Sequence, residues 1–179
     1  PVQLDPTPAA RYPDLPLAEV RVYDDLMFRH WMDWADGTYS HLFVAPLTMS
    51  TAGATVGEAT DVMPGQRVHT PLMPFGGAEQ IAWHPDGRRV AYTAKPLQGT
   101  ASATSTNSDI FLYSVADGTT VNLTAPNPGY DIEPAFSPDG RTMAWGSMAR
   151  DGYEADRSRL MVRDLATGAT RELTAGFDR

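Results

Sequence analysis

Short apolar runs separated by turn-forming residues recur along the chain. Leu42-Phe43-Val44-Ala45, Ile110-Phe111-Leu112-Tyr113 and Leu160-Met161-Val162 are each bounded by Gly, Asp, Ser or Pro. All are too short for helices, and continuous apolar runs of this length suit strands covered on both faces. Val121 and Leu123, split by Asn122, show the alternation of a half-covered strand. Residues 1–24 differ, because Pro1, Pro6, Pro8, Pro13 and Pro16 fall there. Each proline fixes φ and removes a backbone donor, so a Pro-rich linker or excursion is expected, with neither helix interior nor central strand.

The strand pattern repeats. Ser108-Asp109-Ile110-Phe111-Leu112-Tyr113 aligns with Ser158-Arg159-Leu160-Met161-Val162-Arg163, 50 residues on, and at the same spacing Leu123-Thr124-Ala125 meets Leu173-Thr174-Ala175. Ile81-Ala82-Trp83-His84-Pro85-Asp86-Gly87-Arg88 aligns with Pro134-Ala135-Phe136-Ser137-Pro138-Asp139-Gly140-Arg141 at a spacing of 53. In each such turn Pro85 or Pro138 pre-sets φ, Asp86 or Asp139 tolerates the third position, and Gly87 or Gly140 takes the positive φ that closes a hairpin through a bulge. Ser137 can bond the backbone across its turn through the hydroxyl; His84, in the equivalent place, is expected to do so only awkwardly.

A unit of roughly 50 residues with about four strands is the size of one β-propeller blade. Residues 78–125 and 126–179 each read as one blade. The first has strands near 78–84, 88–95, 109–115 and 119–124; the second near 132–137, 141–148, 159–165 and 170–174. Residues 25–77 read as a partial blade, with strands near 40–47 and 57–62 around a long loop at 48–56. The segment 25–34 is either the preceding strand of that blade or an excursion from it. The predicted fold class is all-β, a partial β-propeller of about two and a half four-stranded blades. Closed propellers typically have four to eight, so further blades are expected on both sides. Loops 96–107 and 149–158 both join the second strand of a blade to its third, so they are expected on one face, opposite the Pro-Asp-Gly turns.

Composition narrows the function. Gly and Pro together supply 30 of 179 residues, which suits a turn-rich β protein. Cys is absent, which excludes disulfides, thiol catalysis and Cys-ligated zinc. The net charge is −8 and Lys95 is the only lysine, so neither nucleic acid nor a membrane surface is an expected partner. His30, His41, His69 and His84 are scattered without metal-ligand spacing, so no metal is expected, and no cofactor motif stands out. The chain starts at Pro1 without a signal-peptide pattern, which reads as a piece of a longer polypeptide.

The Pro-Asp-Gly turns, each framed by aromatic residues, resemble the propeller repeats of TolB and of prolyl oligopeptidase-type serine peptidases. The segment from Asp25 to Trp34, with Pro74-Phe75-Gly76-Gly77, Ser105-Thr106-Asn107-Ser108-Asp109-Ile110 and Met148-Ala149-Arg150-Asp151-Gly152-Tyr153-Glu154, is similar to the bacterial dipeptidyl-peptidase and acylaminoacyl-peptidase branch. The resemblance runs from about residue 20 to the C-terminus. It implies a propeller that covers a C-terminal α/β-hydrolase domain carrying a Ser-Asp-His triad. It also implies that the propeller controls access and helps hold the N-terminal side of a short peptide substrate. No G-x-S-x-G elbow occurs in this chain, so the catalytic domain is absent from it and no catalytic residue is assigned. The expected partners are the remaining blades, the hydrolase domain and a peptide. A periplasmic or secreted bacterial location follows from the resemblance, with a cytoplasmic one left open. The rival reading is a non-enzymatic, TolB-like propeller that binds protein partners.

Five residues are candidates for substrate binding: Arg29, His30, Trp31, Asp33 and Glu154. On an extended segment, Arg29, Trp31 and Asp33 would share one side and Phe28, His30 and Met32 the other. Arg29 could bind a peptide carbonyl or carboxylate and Trp31 could floor a side-chain pocket; alternatively, the tryptophans pack between blades and Arg29 pairs with an Asp. Glu154 lies in an acidic loop with Asp151 and Asp156 that fails the EF-hand pattern. It is either solvated or the anchor of a peptide ammonium.

Overall fold

The computed structural model describes residues 1–177. In chain order the elements are β1 (Val2–Gln3), α1 (Pro8–Arg11), β2 (Arg29–His30), β3 (Asp33–Trp34), β4 (Thr38–Tyr39), β5 (Phe43–Val44), β6 (Leu47–Ser50), β7 (Gly53–Val56) and β8 (Thr60–Asp61). They continue with β9 (Ile81–Trp83), β10 (Arg89–Ala94), α2 (Gly99–Thr104), β11 (Asp109–Ser114), β12 (Thr120–Asn122), β13 (Asp131–Phe136), β14 (Thr142–Ser147), β15 (Arg159–Asp164) and β16 (Thr170–Glu172). β9 to β12 form one four-stranded antiparallel meander and β13 to β16 a second, each in sequence order.

β5 and β8 are the two outer strands of a further blade. Phe43 faces Asp61 as Phe111 faces Asn122 and Met161 faces Glu172. The backbone bond from Val62 N to Leu42 O has counterparts from Leu123 N to Ile110 O and from Leu173 N to Leu160 O. The architecture is thus a partial β-propeller whose sheets do not close into a ring.

Apolar side chains fill both gaps between sheets, which is why strands of the middle blade are buried on both faces. Val44, Val62, Met63 and Val68 meet Val90, Tyr92, Ala94 and Tyr113. On the other side Ala91 and Ile110 meet Met143 and Trp145. One buried carboxylate sits in the second gap: Asp131 accepts from Trp145 Nε1 at 2.8 Å and from Asn127 Nδ2 at 3.0 Å.

Gly87 and Gly140 adopt φ of 67° and 68°, and each N–H closes its turn on the carbonyl of His84 or Ser137 at 2.9 and 2.8 Å. His84 bonds more readily than its sequence position suggests. Its Nδ1 accepts from Asp86 N at 3.1 Å, and its Nε2 lies 2.9 Å from Gly140 O in the next blade. The ring also packs edge-on against Phe136, at 4.9 Å between centroids. The neighbouring blade supplies these contacts, and a single turn considered alone does not include it.

Three local expectations need correction. The 48–56 loop is a hairpin, β6 with β7, whose ladder pairs Leu47 with Val56. Of the two readings left open for residues 25–34 the structure has the excursion, and it is not extended as expected, since β2 and β3 pair with each other. Within the Pro-rich start, β1 pairs with β4, Asp5 meets Arg67 at 2.6 Å, and Thr7 caps the single turn α1, where Pro8 takes the first position. Burial, reinforced by the bond to Asp5, pushes the Tyr39 phenol up to about 12.

Candidate functional site

Successive strands of a meander reverse direction, so each connection from second to third strand emerges at one end of the propeller, with the connections between blades. Three such segments lie there, 25–37, 95–108 and 148–158, and carboxylates tie them together. Asp25 Oδ1 accepts from Thr100 N at 3.1 Å and from its hydroxyl at 3.2 Å. Asp151 Oδ1 accepts from Ser105 Oγ at 2.6 Å and Thr106 N at 2.8 Å, while Gly152 N donates to Thr106 Oγ1 at 2.9 Å. The loops 96–107 and 149–158 thus touch directly.

Inside each loop a second charge holds the shape. Asp156 accepts from Ala149 N, Arg150 N and the Arg150 guanidinium, the last at 2.8 Å. That guanidinium bond, with the backbone donors, depresses the Asp156 carboxyl. Arg150 then lies 4.2 Å over the Tyr153 ring. Lys95 donates to the carbonyls of Ser102 and Ser105, and burial lowers its ammonium pKa against the pull of Asp151.

The excursion carries its own aromatic cluster. Tyr23, Phe28 and Trp34 lie 5.7 to 6.0 Å apart, and Arg29 stacks over Trp34 at 5.4 Å. Pairing of Arg29 with Trp34 and of His30 with Asp33 replaces the expected grouping of Arg29, Trp31 and Asp33. Trp31 takes the turn at φ 51° and reaches out from it. Its ring meets His30 and Phe75, both at 5.2 Å. Trp31 and Trp34 are exposed rather than packed between blades, and Arg29 stacks on an aromatic ring instead of pairing with an Asp.

Phe75 is 78% exposed because the turn beneath it is closed by its own chain. Gly76 N bonds Leu72 O at 2.7 Å and Gln80 Oε1 accepts from Leu72 N at 2.8 Å. A Cβ on Gly76 would lie 2.6 Å from the Leu72 backbone, so only Gly fits. Beside Phe75 runs a groove of about 220 Å³, lined by Leu72, Met73, Pro74, Phe75, Gly76, Glu79 and Gln80 on one side and Tyr130, Ile132 and Glu133 on the other.

Glu133 has φ 58°, at a register break in β13 between Ile132 and Ala135. A non-Gly residue held there costs about 1–3 kcal/mol, and such strain concentrates at ligand sites. Here it falls on a residue that lines the groove. The repeat alignment pairs Glu133 with Gln80 and hid this. Pro134, in a position read as a regular inner strand, was the available signal, since proline inside a sheet marks a bulge.

Of the five sequence candidates, the structure brings Trp31 to Phe75, which lines the groove, with His30 beside Trp31. Arg29 is engaged by Trp34, Asp33 pairs with His30 in the hairpin, and Glu154 stands exposed in the 149–158 loop. Among the described residues no group of three or more His, Asp or Glu is placed to hold a metal ion, and no helix is long and apolar enough to cross a membrane.

No protein-family model matches the chain. It is 44% identical over 169 residues to "Dipeptidyl-peptidase 5" of Porphyromonas gingivalis, a match covering 93% of this chain and 24% of that protein. The protein of the same description from Porphyromonas endodontalis is 43% identical over 152 residues, covering 85% and 21%. That from Aspergillus fumigatus is 31% identical over 180 residues, covering 92% and 24%. The chain therefore spans about a quarter of the length of the curated relatives it matches. Similar solved structures include TolB from Acinetobacter baumannii, with a TM-score of 0.44 and 18% identity over 73% of this chain and 30% of that one. A putative dipeptidyl aminopeptidase IV from Bacteroides ovatus has a TM-score of 0.43 and 13% identity over 71% and 23%.

Proposed function

We propose, for a chain homologous to one quarter of the dipeptidyl-peptidase 5 proteins, that it is the non-catalytic propeller portion of a serine exopeptidase. Its connection face gates access and holds the N-terminal side of short peptides for an α/β-hydrolase domain elsewhere in the polypeptide. The observation that carries this is the strained Glu133 lining a groove beside Phe75, with Trp31 edge-on to that ring. A carboxylate on the wall of a groove makes a charge-assisted bond with a free ammonium. The edge-on Trp31–Phe75 pair offers an apolar corner for the adjoining side chain.

Glu133→Gln tests the reading in the full-length protein. Dipeptidyl chromogenic substrates with a free amine should lose about ten- to a hundredfold in kcat/KM, since a charge-assisted bond contributes about 1.5–3 kcal/mol. N-acetylated analogues should change little, so the preference for a free amine collapses. Unchanged discrimination between the two substrates would overturn the role of Glu133.

A further inference from the structure

We infer that Asp25 is a positioning residue: by clasping α2 at Thr100 it seats the Trp31 hairpin against Phe75 and so completes the apolar corner of the groove. The use of that corner rests on the peptide-binding reading above; the clasp itself does not. The segment 23–35 holds its own shape. Tyr23 Oη donates to Ala35 O at 2.7 Å and Ala35 N to Phe28 O at 2.9 Å, around the packed rings of Tyr23, Phe28 and Trp34. A segment tied in this way shifts as one body, so the bonds that fix it to the rest of the fold also fix where Trp31 stands.

Among the described residues, two side chains carry polar bonds out of that segment, Asp24 and Asp25. Asp24 meets Arg11 at 2.7 Å, on α1, which belongs to no blade, and an exposed ion pair of this kind holds little. Asp25 reaches a blade connection instead. Its Oδ1 accepts from Leu26 N at 2.8 Å and from both the N–H and the hydroxyl of Thr100, so one oxygen joins the excursion to α2. The approach is so close that a Cβ on Gly99 would run into the Asp25 carboxylate. α2 is itself a fixed post, because Lys95 donates to the carbonyls of Ser102 and Ser105 while Asp151 accepts from Ser105 and Thr106. On the other side the Phe75 turn is closed by Gln80. Both halves of the contact between Trp31 and Phe75, 5.2 Å between centroids, are therefore anchored, one through Asp25 and one through Gln80.

Fluorine resonances of the full-length protein labelled with fluorotryptophan test the clasp. Loss of a resonance in Trp31→Phe assigns Trp31, and Phe75→Leu gives the shift caused by losing the Phe75 ring. Asp25→Ala should move the Trp31 resonance as Phe75→Leu does, with no further shift when the two are combined. Gly99→Ala, which pushes the carboxylate off Thr100, should move it as well. Asp25→Asn keeps an accepting oxygen and should restore the original position. For dipeptidyl chromogenic substrates with a bulky apolar N-terminal residue, Asp25→Ala should raise KM about three- to tenfold at unchanged kcat, the range of one aromatic contact. With Gly at the N-terminus KM should hold. Near-ultraviolet dichroism checks folding, and Gly99→Ala or Asp25→Ala alone suffices if the other does not fold. A resonance that stays in place when the clasp is broken, or a shift that Asp25→Asn shares, would overturn the proposal. A moved resonance with unchanged KM upholds the clasp and overturns instead the peptide role of the corner. Glu133→Gln tests the ammonium contact separately, so the two readings fail independently.

Discussion

Gly87 and Gly140 occupy equivalent turns at φ 67° and 68°, yet their surroundings differ. Nothing lies within 4 Å of a Cβ on Gly87, whereas one on Gly140 would sit 2.6 Å from His84 Cε1. Gly87→Ala should therefore cost only the left-handed backbone strain, about 1–2 kcal/mol. Gly140→Ala adds overpacking of about 1–3 kcal/mol. Denaturant melts compare them, and in a His84→Ala background the excess at position 140 should vanish. Equal midpoints for Gly87→Ala and Gly140→Ala would show that the turns do not interlock. Asp131 makes a second residue-scale case. Burial raises its carboxyl pKa against the bonds from Ser147, Asn127 and Trp145, with Asp109 pushing the same way. A raised folded pKa gives stability that is present below the unfolded value of about 3.9 and lost as pH rises through the folded one. Asp131→Asn should thus cost more near pH 4 than near pH 7, and urea melts at the two values measure it. An equal cost would contradict the burial effect.

The connections between strands are where the blades differ. The ladder of the incomplete blade matches the others residue for residue, with Ser40-His41-Leu42-Phe43 in the place of Ser108-Asp109-Ile110-Phe111. His41 even takes the structural role of Asp109: it bonds Asp61 at 2.8 Å where Asp109 bonds Asn122 at 2.7 Å. The partial blade is readable in the sequence, but the inserted hairpin and the change of side-chain chemistry mask its residue-by-residue match to the other two. The loop face tests at this scale too. Asp151→Ala frees Ser105, Thr106 and the loop they anchor, so amide exchange across 96–107 should accelerate while 81–94 stays protected. No change in the 96–107 amides would show that the ties do not hold the loop. The carboxyls of Asp151, Asp139 and Asp117 are all depressed, each first by a hydroxyl bond, from Ser105, Ser137 and Thr119 respectively. Their contribution is complete above the unfolded pKa of about 3.9 and is lost as pH falls through the folded values, so the protection factors of amides in these turns should fall on the acid side.

Two interblade cores and one connection face organise the whole molecule. The groove beside Phe75 lies at the connection face, away from the end that carries the β6–β7 hairpin. Without a G-x-S-x-G segment between residues 1 and 179, the purified chain is expected to release nothing from dipeptidyl or N-acylated chromogenic substrates. Turnover abolished by mutating one Ser of this chain would contradict that expectation.

Local patterns suffice for what local forces decide. Continuous apolar runs, the 50-residue spacing and the Pro-Asp-Gly turns specify the strands, their antiparallel order and the blade as the unit of packing. The aromatic character of the segment around His30 and Trp31, beyond what a strand needs, is visible in the sequence. The contact of Trp31 with Phe75, some forty residues on, was not legible. Nor were the left-handed Glu133, the bond from His84 to the next blade, and the folding of 48–56 into an open hairpin. The Trp31 contact and the His84 bond depend on what lies across a gap between sheets or across the connection face. Backbone torsions and side-chain partners there are set by a neighbour distant in sequence, and only the tertiary structure brings that neighbour into reach.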